Sequence, residues 1–215
     1  MHEQEPTIFL VDDDFAVREA LSGLLRAMGF VVSTFASAHE FLAASRRDAP
    51  GCLVLDLRMP GLSGIDLQQE LVRAGTSVPI VFITAYGDVR TSVQAMKFGA
   101  VDFLSKPFTD QELLEAVRRA LARDLAERQQ RAALAALRER LKTLTARESE
   151  VMRLVVAGLL NKQIAAELGL SEITVKIHRA RVMQKMGARS LPDLVRMTEH
   201  LDAGMARLPI DSFKV

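Results

Sequence analysis

The run FLVDDDFAVREAL, residues 9–21, ends an apolar stretch with three carboxylates in a row, Asp12, Asp13 and Asp14. Adjacent acids repel, so they are expected to be spread out or solvated unless something offsets the repulsion. A hard divalent cation with oxygen ligands does so: Mg2+ is the first choice and Mn2+ the alternative. Further along, Asp56 ends the run CLVLD, Thr84 ends VPIVFIT and Lys106 follows VDFLS. A metal-bound carboxylate beside a lysine suits phosphoryl transfer, because an aspartate oxygen can attack in line while ion and ammonium spread the developing charge. The Thr84 hydroxyl can donate to a phosphoryl oxygen. An isolated Asp-Asp pair would more simply cap a helix, but four matching strand ends favour the chemical reading.

The elements that must position these residues follow from periodicity. The runs IFLV, VVSTF, CLVLD, VPIVFIT and VDFLS alternate with segments of helical period, which reads as repeated βαβ units and a five-stranded, doubly wound parallel sheet. CLVLD and IVFIT are continuously apolar, as strands covered on both faces should be. Ligands of such sheets sit at the carboxyl ends of the strands, where the unusual residues cluster. From Thr109 to about Lys142 the helical pattern is unbroken by Pro or Gly and opens with a capping box, Thr109 to Glu112. Leu114, Val117, Leu121 and Leu125 form one stripe and Leu134, Leu137, Leu141 and Leu144 another, either as a coiled-coil dimer seam or as faces that pack on the flanking domains. A second capping box, Thr145 to Glu148, opens four short helices at about 146–157, 161–168, 172–187 and 190–201, a small all-α domain with Gly158, Gly169 and Gly187 at its breaks.

An apolar fraction of 49% over 215 residues supports packed cores and excludes a disordered chain. The one cysteine, Cys52, excludes an internal disulfide framework, and His2, His39, His178 and His200 lack metal-ligand spacing with it, which fits a reducing, cytoplasmic setting. No signal peptide or membrane span is expected. Net charge is only +1, yet residues 1–122 carry 11 Lys+Arg against 16 Asp+Glu, and residues 143–215 carry 11 against 8. Between Asn161 and Ser190 six bases face two acids, a balance suited to a polyanion or to a solvated helix face.

In order and spacing, VDDD, LDLRMPGLSG, ITAY and LSKPF resemble the receiver domain of bacterial two-component response regulators, over residues 1–122. The resemblance implies Asp56 as phosphoacceptor, Asp13 as a direct Mg2+ ligand, Asp12 completing the acidic pair and the Arg58 backbone carbonyl as a further ligand. It implies Thr84 and Lys106 at the phosphoryl group, Phe103 as the aromatic that turns inward with Thr84, Ala85 as the small residue leaving the site open, and a cis bond before Pro107. Asp14 reads as a helix N-terminal charge. Phosphatases of the haloacid dehalogenase type also use a strand-end aspartate and Mg2+, but need a second aspartate two residues later; Arg58 stands there, so slow release of the phosphoryl group, a switch rather than a turnover enzyme, is expected.

The stretch LTARESEVMRLVVAGLLNKQIAAELGLSEITVKIHRARVMQKMG resembles LuxR-type helix-turn-helix domains, through its TxRExEV opening, GLLNKQIA, the turn LGLS and TVKIHR. With the receiver, the whole chain is similar to the NarL/FixJ family, FixJ-like in flavour. Domains are expected at 1–122, 123–142 (helical linker) and 143–215. At about 100° per residue Val175, Val182 and Met186 share a core face of the second helix. Ile177, Ala180, Arg181 and Gln184 lie opposite with Lys176 at the edge, a face for the DNA major groove in which Ile177 suits a thymine methyl and Lys176 and Arg181 suit guanine or phosphate. Thr174 belongs to the same set, and Lys162, Arg179 and Lys185 are expected at phosphates. With one Tyr and no Trp, an RNA-stacking output lacks support. The resemblance further implies a sensor histidine kinase as phosphodonor, homodimerisation on phosphorylation through the fourth-helix and fifth-strand surface, binding to double-stranded DNA and contact with RNA polymerase.

Overall fold

The computed structural model describes residues 5–44, 50–85, 93 and 95–205. Its contacts divide the chain into two compact units, Met1–Arg128 and Gln129–Val215, with the division inside the segment read as linker.

In the first unit the five apolar runs form β1 (Thr7–Val11), β2 (Val31–Phe35), β3 (Gly51–Asp56), β4 (Ile80–Thr84) and β5 (Asp102–Ser105). They pair in parallel in the order β2-β1-β3-β4-β5. β3 and β4 are buried along their whole length, whereas β2 at the sheet edge is only half covered. Alternation sends Phe9, Val11, Leu53, Leu55 and Phe82 to one core and Ile8, Leu10, Cys52, Val54, Val81 and Ile83 to the other. Each such aliphatic side chain contributes about 1.5–3 kcal/mol by leaving water. Helices α1 (Phe15–Ala27), α2 (Ala38–Ala43) and α3 (Gly64–Arg73) begin at side-chain caps from Asp14, Ser37 and Ser63. Two glycines are there for close approach. A Cβ on Gly51 would stand 1.9 Å from the Thr7 carbonyl oxygen, and one on Gly64 would stand 2.5 Å from that of Asp56. Of the helical segment between β4 and β5 only Val93 and residues 95–97 are described, so most of the expected fourth-helix surface lies outside the described residues.

The long helix α4 (Asp110–Lys142) starts at the expected capping box, in which the Thr109 amide donates to Glu112 at 2.7 Å. Its buried face is Leu113, Ala116, Val117 and Ala120, with Leu114 and Leu121 packed beside them on the receiver core, while Leu125 is exposed. Leu141 and Leu144 pack on the core of the second unit. For these residues the structure favours packing within the domains over a seam. Asp124 is also buried: its Oδ2 accepts the Gly51 amide at 2.9 Å and the Arg128 Nε at 2.8 Å.

The second unit continues with α5 (Ala146–Val156), α6 (Asn161–Leu168), α7 (Glu172–Met186) and α8 (Leu191–Met205). Val151, Val155, Ile164, Val175, Val182, Met186 and Leu194 form its core. Gly169, at φ +65°, closes α6 in the left-handed region, and two residues later Ser171 caps α7 through the Thr174 amide at 3.2 Å. Gly169 thus forms one of the expected breaks, within the turn LGLS.

Candidate functional site

Asp12 follows the last residue of β1, Asp56 and Thr84 end β3 and β4, and Lys106 follows β5, so the parallel sheet brings together residues up to 94 positions apart. The Lys106 Nζ donates to Asp12 Oδ2 and to Asp56 Oδ1, both at 3.0 Å. The remaining oxygens are also held: the Arg58 amide donates to Asp56 Oδ2 at 2.7 Å and the Asp14 amide to Asp12 Oδ1 at 2.8 Å. Asp12, Asp56 and Thr84 are buried, while Asp13 and Arg58 are exposed at the rim. The Lys106 amide donates to the Thr84 carbonyl at 2.7 Å and the Lys106–Pro107 bond is cis. Half-buried Phe103 packs against Phe82, ring centroids 6.3 Å apart.

Burial pushes the Asp56 carboxyl above its ordinary value, and the hydrogen bond from Lys106 opposes that shift without cancelling it. Burial pulls the Lys106 ammonium down, but its bonds to Asp12 and Asp56 outweigh this and raise it overall. The outcome is a charged lysine clamped between two carboxylates, one of them poorly solvated and so a better nucleophile than an exposed acid.

On α7, Val175, Val182 and Met186 are buried as expected, and Lys176, Ile177, Ala180, Arg181 and Gln184 are exposed together on the other side. Lys162 is exposed near the start of α6. Arg179 is half-buried and donates to Asn161 Oδ1 at 2.6 Å. The Thr174 hydroxyl is hydrogen-bonded to that of Ser171 at 2.9 Å. His178 is half-buried, with a buried Nδ1 that meets no partner among the described residues. Lys185, expected at a phosphate, is engaged within the domain: its Nζ donates to Glu148 Oε2 at 2.6 Å and to the Thr143 carbonyl at 3.0 Å. Lys185, and then the Thr145 amide, hold the Glu148 carboxyl down to about 2.

Residues 8–118 match the response regulator receiver domain model and residues 142–198 that of the bacterial regulatory proteins of the luxR family. Nodulation protein W of Bradyrhizobium diazoefficiens is 55% identical over 90% of this chain and 86% of its own. Transcriptional regulatory protein FixJ of Azorhizobium caulinodans is 45% identical over 93% of each. The chain is a NarL/FixJ-family response regulator. Among solved structures, response regulator StyR superposes with a TM-score of 0.81 at 51% identity, covering 91% of this chain and 98% of that one.

Membership of this family makes the response regulator a two-component transcriptional regulator and not an enzyme, with a receiver that implies a histidine kinase partner and a helix-turn-helix that implies DNA binding. No described helix is long and apolar enough to cross a membrane. Receivers typically bind Mg2+, and the donor set here bears on how. Among the described residues no group of three or more His, Cys, Asp or Glu is placed to hold a metal ion by itself. Of the acids in VDDD, Asp12 is bound to Lys106, Asp14 caps α1 through the Ala16 amide at 2.8 Å, and Asp13 stays at the surface. Oxygen-only donors, Asp12 and Asp56 buried and Asp13 at the rim, still fit Mg2+, which binds through one or two carboxylates and keeps several waters. Sequence reasoning missed Gly64, whose tight contact fixes the end of β3, and Asp124, the buried acid of a helix whose other charges are exposed or half-buried.

Proposed function

We propose that this response regulator accepts a phosphoryl group from a sensor histidine kinase on Asp56 and, once phosphorylated, dimerises and binds specific DNA to control transcription. The observation that carries the reading is the Lys106 ammonium held 3.0 Å from both Asp12 and Asp56 at the strand ends. An Asp56 oxygen attacks phosphorus, an O–P bond forms and the P–N bond to the kinase histidine breaks, the imidazole leaving with the electron pair. Lys106 stays charged throughout and pairs with the phosphoryl oxygens, and Thr84 donates its hydroxyl to one of them. Asp13, Asp56 and the Arg58 carbonyl, with Asp12 beside them, would hold Mg2+ (or Mn2+), which would supply positive charge to the oxygens of the transferring group. Phosphorylation shifts an existing equilibrium, with Thr84 and Phe103 carrying the change to the surface of β5 and of the helical segment between β4 and β5.

Domain limits of 1–122, 123–142 and 143–215 suit this division of labour. Two recognition helices brought together would meet half-sites about one turn of DNA apart. Thr174, Lys176, Ile177, Ala180, Arg181 and Gln184 face the groove, Lys162 and Arg179 serve the backbone, and RNA polymerase is the further partner in a cytoplasmic setting. The test is labelling with a small acyl phosphate donor and Mg2+, followed by mass determination in solution with beryllofluoride as phosphoryl mimic. The wild type should take up base-labile label and change from monomer to dimer, and Asp56→Asn should do neither. Full-stoichiometry labelling of Asp56→Asn would refute the assignment.

A further inference from the structure

Ile173, the second residue of α7, is 71% exposed, more than Ile177 at 48%, although an isoleucine in a helical domain is ordinarily core. Counting about 100° per residue from Ile173, the buried Val175, Val182 and Met186 fall about 180–220° away. On the same count Lys176, Ala180, Gln184, Ile177 and Arg181 fan out from about −60° to +80°. Ile173 therefore stands at the middle of the exposed arc, opposite the core. With Ile177 one turn on and Ala180 beyond, it makes a short apolar strip flanked by the exposed cations Lys176 and Arg181.

We propose that Ile173 is a specificity-determining residue that reads the 5-methyl group of a thymine in the major groove, so that Ile173 and Ile177 together select two thymines about two base steps apart. The inference rests on the DNA-binding reading of this face. Flanking cations match a polyanion and not an apolar protein groove, and the N-terminal residues of a recognition helix are those that meet base edges. Among those edges the thymine methyl is the one apolar feature, so an apolar side chain there has a single kind of partner. Four residues of helix advance about 6 Å, close to two base-pair steps of about 3.4 Å. A β-branched side chain held by the helix in one main χ1 rotamer loses little freedom on contact, which suits it to recognising a methyl group by shape.

The experiment uses the full chain with Mg2+ and beryllofluoride. A motif is selected from a random duplex pool, and each selected thymine is then replaced singly by deoxyuridine, which deletes only the methyl group. Two positions should each weaken wild-type binding about fourfold, the worth of one buried methyl. Ile173→Ala, which removes no core contact and keeps a good helix former, should become insensitive at one position and remain sensitive at the other. That retained sensitivity shows the variant folded and docked. Ile173→Asn should turn the preference at the first position towards adenine. The proposal is overturned if deoxyuridine equals thymine at every selected position, or if Ile173→Ala binds more weakly yet keeps both sensitivities, as a partner or packing role would give. If the pool yields no enriched motif, sequence-specific DNA binding itself falls and this inference with it.

Discussion

Replacing Lys106 by methionine keeps the length of the side chain and removes the one ammonium that two buried carboxylates share. At 3.0 Å and an effective dielectric of about 20, each contact is worth about 5 kcal/mol of gross attraction, most of it offset by the cost of desolvating the three charges. Losing one partner of a buried pair typically costs about 3–5 kcal/mol, because the other charge is left uncompensated. Water reaches the lysine, whose side chain is 23% exposed, so the low end applies, about 3 kcal/mol and some 10 °C in the melting of the receiver unit. The pH dependence identifies the cause. Asp56 already sits above its ordinary 3.8 through burial, against the pull of Lys106, and without Lys106 it climbs further. An acid raised on folding contributes stability that is full below its unfolded value and lost as pH rises through the folded one. The gap between variant and wild type should thus be widest at pH 7, narrow towards pH 4, and shrink at pH 7 when Mg2+ supplies the missing positive charge. Thermal unfolding of the full chain by far-UV circular dichroism at pH 4, 5 and 7, with and without Mg2+, measures all three. A gap equal at every pH would mean that Lys106 acts through packing and would refute the reasoning.

Gly64→Ala should destabilise the receiver by about 2 kcal/mol and slow labelling of Asp56, because the new Cβ meets the Asp56 carbonyl oxygen at 2.5 Å and the Phe82 ring at 3.1 Å; chemical denaturation and labelling rates equal to wild type would contradict it. Arg181→Ala should weaken binding to a selected site by about 1–3 kcal/mol if the guanidinium reads a base, and an equal loss on random DNA would limit it to phosphate. The Cys52 thiol, pushed up to about 12 by burial first and Asp124 second, should stay unreactive to a disulfide reagent at pH 8 until the chain unfolds, with full labelling of the native chain as the contrary result.

Much of this was written in local pattern. CLVLD and IVFIT became the fully buried β3 and β4, and the boxes at Thr109 and Thr145 formed as spelled out, because capping involves residues only three apart. The juxtaposition of Asp12, Asp56 and Lys106 could be inferred only through the topology of a parallel sheet, and it was. What escaped depends on contacts that periodicity does not encode. The buried face of α4 uses Ala116 and Ala120, which a leucine stripe overlooks. Asp12 and Asp13 are neighbours of one type, and only the bond from Lys106, 94 positions away, shows which of them is the buried one. Lys185 looks like every other base of the helix until Glu148, 37 residues away, is seen to hold it.

That last pair reaches into the thermodynamics of the DNA complex. Phosphate contacts release condensed counterions, and the logarithm of affinity falls with the logarithm of salt by about 0.9 for each phosphate neutralised. A lysine that stays neutralised by Glu148 in the complex would release none, so counting exposed and committed bases alike would overstate the ionic-strength dependence of binding by about one counterion per chain. By capping the start of α5 and holding Lys185 near the end of α7 at once, Glu148 ties up a positive charge that the sequence alone would count toward the salt dependence of DNA binding.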